Sequence, residues 1–385
     1  MPSFTPEAVR NLHEADTDLR LAALERFAAA PSPTPQEELW RYSRIAELAI
    51  DTYTPGAMAT TVTGAESVLS ADPPDESDEL DLFADLNRAF SSLIHLRVPR
   101  GRVLDTPVVI THTLTTDGSA CFPRLVIDAG EDSEITVIER FVSTNDVHGI
   151  VVPVLRVVAG QASRVKYLSV NELGSQVWQI ANQQAVGERD SNTLLSTVAL
   201  GGDYARVRTH ARLVGQGAST RQVALYFADG TQTHDFRTTQ EHIAPKTSSD
   251  LLFKGAVNDS SRSVYTGLIK IGPEALGTVA FQTNRNLTLS DGAWAESVPN
   301  LEIETNDVKC SHASTVGPID EEQRFYLESR GIQPDIAERL VVLGFFDEVL
   351  AQLPVGIMAG ELRQRISDKL HTAVVPAKAT SAVSA

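Results

Sequence analysis

The densest concentration of chemically capable side chains is the run Asp307-Val308-Lys309-Cys310-Ser311-His312. Placed on a strand, Cys310 and His312 project from one face, because strand side chains alternate. A thiolate and an imidazole so arranged can both hold iron or zinc. Two ligands fall short of the four that iron–sulfur clusters usually take, and the other cysteine, Cys121, lies far upstream. Either another subunit supplies the remaining ligands, or Cys310 is a small buried hydrophobe, as free cysteines commonly are. A second group, His234, Asp235 and His242, has a histidine spacing that matches no common metal-binding helix. It reads as a hydrogen-bonded corner.

Several chemistries are excluded or unsupported. No GxxxxGK[ST] phosphate loop occurs, so the chain alone is not expected to bind nucleotide. No GxSxG elbow supports a serine hydrolase, and the spacing of the carboxylates selects no glycosidase or lyase pair. Two cysteines without a CxxC pair make neither a disulfide scaffold nor a zinc ribbon. The net charge of −17 argues against a nucleic-acid partner, which needs concentrated basic surface. It reads as a solubility feature. The segment Met1 to Arg10 lacks the basic-then-apolar order of a signal peptide, and no apolar run approaches a membrane span. A cytoplasmic location with no membrane partner is expected.

The elements that must position Cys310 and His312 belong to a long region of alternating period. Ile135 and Val137 alternate with polar neighbours, as do Val165 and Tyr167. Leu194, Val198 and Leu200 do so less strictly, as do Val223, Leu225 and Phe227. Each series follows a turn containing Gly130, Gly160, Gly187 or Gly215, at separations of 30, 27 and 28 residues. A turn followed by a strand at a near-constant step marks stacked repeating units. With almost no helical segment between strands, a βαβ sheet is disfavoured. The even step favours a β-helix over a β-sandwich, and the low aromatic share of 6% suits regular β structure better than a compact aromatic core.

Helical periods flank this region. Thr5 and Pro6 read as cap and first helical residue, and Leu21, Leu24 and Phe27 recur at helical spacing. The prolines at 31, 33 and 35 stop that helix, and Gln36 to Ile50 reads as another. Ala71 to Asp81, acidic and proline-containing, reads as an exposed loop. After Gly317, Asp320 and Gln323 resemble a capping box, with Gly331 ending the helix. Pro334 can start the next, with Ile336, Leu340, Leu343 and Leu350 on one face. Met358, Leu362, Ile366 and Leu370 form a final stripe. Packing is the first reading of both stripes and partner binding the second. The expected organisation is a helical region over 1–98, a β-helix core over 99–317, a helical region over 318–372 and a disordered tail over 373–385.

The stretch Glu241 to Ile332 resembles the shared core of the SufB/SufD family of iron–sulfur cluster assembly proteins. The matching words are Glu241-His242-Ile243-Ala244-Pro245, Phe253-Lys254-Gly255, Tyr265-Thr266-Gly267 and Gln282-Thr283-Asn284-Arg285-Asn286-Leu287. Pro299-Asn300-Leu301-Glu302-Ile303, the run Asp307 to His312, Thr315-Val316-Gly317, Phe325-Tyr326-Leu327 and Ser329-Arg330-Gly331-Ile332 continue the match. Thr34-Pro35 to Trp40-Arg41-Tyr42 is similar to the family's N-terminal region, while residues 100–230 resemble it only in texture. The Val-Lys-Cys-Ser-His form at 308–312 is similar to the SufD type. Ala313 departs from the glycine usual after the histidine, a change that narrows the backbone angles there only slightly.

The resemblance implies a mainly β protein, a right-handed parallel β-helix flanked by N- and C-terminal helical regions. It implies a scaffold subunit, not itself an enzyme, in a heterocomplex with a SufB-type homologue and a SufC-type ATPase docked on the C-terminal helices. A transient iron–sulfur cluster would form at the interface with the SufB-type partner, with His312 contributing to it and Cys310 beside it, and the partner supplying further ligands. Reduced flavin is associated with the family complex, though no flavin motif is visible. A homodimer in the partner's absence stays open. Three rivals remain: a structural β-helix subunit whose Cys310 and His312 only pack, a carbohydrate-active β-helix enzyme, and a SufB-like subunit able to receive sulfur itself, disfavoured by the word at 308–312 and the scarcity of cysteine.

Overall fold

The glycine-marked turns are the corners of a parallel β-solenoid of about eight turns. The computed structural model describes residues 3–12, 16–72, 81–144, 146–354 and 356–373. In chain order its early strands are β1 (Thr54–Gly56), β2 (Ala59–Thr63), β3 (Ser92–Val98), β4 (Val108–Leu114), β5 (Ser119–Cys121), β6 (Pro123–Ala129), β7 (Glu134–Ser143), β8 (Gly149–Val151), β9 (Val154–Ala159) and β10 (Arg164–Glu172). There follow β11 (Val177–Gly187), β12 (Asn192–Ala199), β13 (Tyr204–Leu213), β14 (Ser219–Ala228), β15 (Thr233–His242), β16 (Ser248–Val257), β17 (Arg262–Ile271), β18 (Thr278–Thr288), β19 (Trp294–Ile303) and β20 (Val308–Gly317). Each full coil gives one strand to a nine-stranded sheet, β2-β4-β7-β10-β12-β14-β16-β18-β20, and the next to an eleven-stranded sheet ending β11-β13-β15-β17-β19. Pairing is parallel except at β2, which runs antiparallel to β4.

Successive coils in the nine-stranded sheet align Glu134, Arg164, Asn192, Ser219, Ser248 and Val279, a step of 30, 28, 27, 29 and 31 residues. The corner leading into this sheet repeats with the same step. Its left-handed backbone position is filled by Asp132, Ala162, Asp190, Gly217, Lys246 and Gly277. At each, the backbone N–H donates to a carbonyl one coil further on, from Asp132 to Gln161 through Gly277 to Asp307, so the ladder continues through the bend. At two of the turn glycines the stacked coils also leave no room for a side chain. A Cβ on Gly160 would lie 2.6 Å from the Ala129 carbonyl, and one on Gly215 would lie 1.9 Å from the Arg189 nitrogen.

Between the sheets, alternate residues fill the lumen. Tyr226, Phe236, Phe253 and Tyr265 interleave there with ring centroids 4.6, 5.7 and 5.5 Å apart. Gly255 is required beside them, since a Cβ would strike the Tyr226 ring at 1.9 Å. The outer faces are covered from opposite ends of the chain. Helices α1 (Pro6–Arg10), α2 (Thr17–Ala29) and α3 (Leu82–Phe90) and the segment to Tyr53 pack on the eleven-stranded sheet against Ile150, Trp178 and Tyr204. After α4 (Glu321–Ser329), α5 (Pro334–Leu350) and α6 (Gly356–Ala373) cover the nine-stranded sheet against Leu168, Val198 and Phe227.

The helix signals at Thr5, Pro6, Asp320, Gly331 and Pro334 hold. Thr5 accepts from the Ala8 N–H, Asp320 accepts from Glu322 and Gln323, and Gly331 has φ +85°. The helix expected over Gln36 to Ile50 does not form. Three short 3₁₀ turns stand there, and Tyr42 is left-handed with φ 64°. The carbonyls of Leu39 and Arg41 accept from Arg206 and Arg237 of the solenoid instead of from their own helix. The stripe on α5 also splits. Leu343 and Leu350 are buried on the solenoid, but Ile336 and Leu340 are exposed. All four residues of the α6 stripe are buried as expected. Part of the loop expected at 71–81, residues 73–80, and residues 374–385 of the expected tail lie outside the described residues.

Candidate functional site

Cys310 and His312 lie on β20, the last strand of its sheet, and β19 ends the other. Register places Cys310 beside Ala280, His312 beside Gln282 and Ser314 beside Asn284. These β18 residues are all buried, so the Cys310–His312 face is the lumen face of the terminal coil. The Ser314 hydroxyl donates to Ser297 of β19 at 2.7 Å, tying the two sheets across the mouth.

The terminal coil carries core-type residues with nothing stacked on them. In the eleven-stranded sheet, Ile269 and Ile271 are fully buried, whereas their register partners Leu301 and Ile303 are 39% and 41% exposed. Val316 on β20 is also exposed. The outer edges of β19 and β20 have no ladder partner among the described residues. Such a pair of bare edges is a template for strands of another chain.

Within this mouth, Cys310 is half-buried against Ile269, Ile271, Ala275 and Ala280. Burial pushes its thiol pKa up, so the isolated chain keeps it as a thiol until a metal or an added positive charge draws the proton off. His312 is exposed. Among the described residues no group of three or more His, Cys, Asp or Glu side chains is placed to hold a metal ion. The chain therefore presents a thiol and an imidazole, two groups capable of ligation, on an uncovered surface. Cys121, on β5, is fully buried in a separate apolar cluster and does not join them.

The other candidates do not converge. His234 Nε2 lies 3.3 Å from the Gly201 carbonyl, and His242 is held by the hydroxyls of Thr247 and Ser249 at 2.8 and 2.9 Å. Burial pushes His242 down to about 4 and, with the Lys369 charge, His234 to about 3. Both are corner residues, as expected. Asp235 has a different task. It accepts from Tyr204, Arg206 and Arg237 at 2.8, 2.7 and 2.6 Å. Burial pushes its carboxyl up, and the two guanidiniums outweigh that and hold it below the usual carboxylate range. Arg206 in turn stacks over Trp40 at 3.9 Å. A ladder rule finds this clamp, because Arg206 and Asp235 are register partners one coil apart; without the register, the pairing is invisible.

Sequence reasoning also missed the latch at Lys254. This buried ammonium donates to the Phe345 carbonyl at 2.8 Å, pairs with Glu348 at 2.6 Å and lies over the Phe345 ring at 4.6 Å, fastening α5 to β16. Lys369 does the same for α6, reaching Gln232 at 2.7 Å and Asp229 at 3.1 Å. Outside them, α4 and the exposed face of α5 enclose a groove of about 910 Å³ lined by Tyr326, Leu327, Leu340, Val341 and Phe345. Phe325, the neighbour of Tyr326 on α4, is 71% exposed. No helix among the described residues is long and apolar enough to cross a membrane.

The chain is similar to known proteins of one family. Residues 112–345 match the family described as SUF system FeS cluster assembly, SufBD core domain. An iron–sulfur cluster assembly SufBD family protein of Mycobacterium tuberculosis is 35% identical over 287 residues, covering 72% of this chain and 70% of the relative. The iron–sulfur cluster assembly protein SufD of Escherichia coli is 30% identical over 321 residues, covering 81% and 75%. SufD of Bacillus subtilis is 30% identical over 262 residues, covering 68% and 60%.

Proposed function

Because the chain belongs to the SufBD family of SUF-system iron–sulfur cluster assembly proteins, we propose that it is a non-ATPase scaffold subunit whose open solenoid end completes a cluster-building site with a SufB-type partner. The observation that carries this reading is the mouth itself. It presents a thiol and an imidazole on one lumen face, beside core residues and strand edges left uncovered. A second β-helical chain stacked on β19 and β20 would bury Leu301 and Ile303, continue both ladders and bring the missing ligands to the nascent cluster. His312 and Cys310 are this chain's contribution. A second copy would fit the same edges and form a homodimer in the partner's absence.

The groove between α4 and α5 suits a SufC-type ATPase. Motion imposed there would pass through Lys254 and Lys369 to the solenoid, because both ammonium groups are anchored on α5 or α6 at one end and on coil residues at the other. Coupling of this kind shifts the mouth between two arrangements. The test is reconstitution of the chain with its co-purifying partners. His312→Ala is expected to abolish cluster assembly while leaving the complex intact, and undiminished cluster yield would overturn the ligand role. Phe325→Ala with Tyr326→Ala is expected to weaken ATPase capture about tenfold or more, as for aromatic anchors at interfaces.

A further inference from the structure

We propose that Gln282 is the positioning residue for His312, its side-chain carbonyl accepting the imidazole N–H that faces away from the bound metal. The inference rests on the reading of His312 as a ligand. Gln282 is the register partner of His312 on the neighbouring parallel strand, with both side chains on the lumen face. Adjacent strands lie about 4.8 Å apart, which brings an amide and an imidazole within reach of one another. Gln282 is 1% exposed, yet neither its Oε1 nor its Nε2 has a hydrogen-bond partner. A buried amide left unpaired costs roughly 1–3 kcal/mol; Gln222 and Gln240 are unpaired in the same way deeper in the solenoid, between apolar register partners, whereas Gln282 has a histidine as its register partner.

The other residues of β18 behind the site cannot play this part. Ala280, behind Cys310, has no polar side chain. Asn284, behind Ser314, is committed, donating to the Tyr226 hydroxyl at 2.9 Å and accepting from Asn286 at 2.7 Å. The space for the Gln282 amide is also reserved from across the lumen. A Cβ on Gly267 would stand 2.3 Å from the Tyr265 hydroxyl and 2.5 Å from Gln282 Nε2. Glycine at 267 thus leaves room for the amide one coil behind His312. Metal-bound histidines nearly always donate their second ring N–H to a carbonyl or carboxylate, and losing that partner costs about 10–100-fold in metal affinity.

The experiment titrates the full-length chain, in the assembly in which it purifies, with Co²⁺ under anaerobic conditions, following thiolate-to-cobalt absorption. Gln282→Leu is expected to weaken Co²⁺ binding about 10–100-fold without lowering the melting temperature, since it removes an unpaired buried amide. Gln282→Glu, which keeps an acceptor, is expected to restore binding to near the wild-type level. Wild-type affinity in Gln282→Leu, or equal loss in both variants, would overturn the positioning role. His312→Ala separates the layers. If it abolishes binding while Gln282→Leu does not, only the positioning role fails; if it binds Co²⁺ as well as wild type, the ligand reading fails and takes this one with it.

Discussion

Cys121 lies in the first coils of the solenoid and Cys310 in the last, and their surroundings follow opposite plans. Around Cys121 the chain closes its own core. Leu114, Phe141, Val147, Val151, Leu173 and Val177 surround a fully buried thiol, β2 turns antiparallel across the edge, and Asp235 with two arginines clamps the segment around Trp40 to the outer face of the coils that follow. Around Cys310 the same kind of coil ends with Leu301, Ile303 and Val316 exposed and no strand on either outer edge among the described residues. A solenoid coil buries its lumen face only against a neighbour. The closed end finds that neighbour in its own chain, and the open end finds none among the described residues.

The sharpest break in this contrast is Asp235→Ala. It leaves Arg206 and Arg237 buried without their carboxylate, and should cost about 3–5 kcal/mol in urea denaturation. A change within error would mean that the arginines do not hold the N-terminal segment. Acid is expected to act through the interior as well. His234 and His242 are neutral in the folded chain at pH 5, whereas in the unfolded chain each binds a proton near its ordinary value of 6.5. Acidification therefore favours unfolding: stability is full above pH 6.5 and falls as the pH drops toward 4. The slope is about 1.4 kcal/mol per pH unit for each histidine, and His242→Gln should flatten it.

One substitution made twice sharpens the comparison further. Gly215→Ala, at a stacked corner where a Cβ would meet backbone at 1.9 Å, should cost about 1–3 kcal/mol. Gly317→Ala, at the end of β20 where a Cβ meets nothing within 4 Å, should stay within about 0.5 kcal/mol. The smallest effect on stability belongs to His312→Ala, also within about 0.5 kcal/mol by thermal melting, although the same change is expected to abolish cluster assembly. A large loss of stability there would make His312 a packing residue.

Much of this was legible in the chain because it depends on period and step. The glycines at 130, 160, 187 and 215 mark the coil step, since each stands at a turn where a Cβ would come within 3 Å of another atom. Alternation alone puts Cys310 and His312 on one face. The caps at Thr5 and Asp320 depend on residues a few positions away and were equally readable. Gln36 to Ile50 was not, because its carbonyls are taken by arginines some 170–200 residues downstream. Nor was the split of the α5 stripe. Helical spacing says that Ile336 and Leu340 share a face with Leu343, but which part of that face meets the solenoid depends on how α5 lies across β14 and β16.

The sequence carried the kind of coil, its repeat and the ligand-capable pair, because each arises from local backbone sterics and the two-residue period of a strand. Three-dimensional packing alone set that β20 is the last rung, that its lumen face stays uncovered, and that Gln282 waits unpaired behind His312. Those properties depend on which strand has no successor and which buried amide has no neighbour. Neither follows from residues adjacent in sequence, because coils a full turn apart meet only once the solenoid is wound.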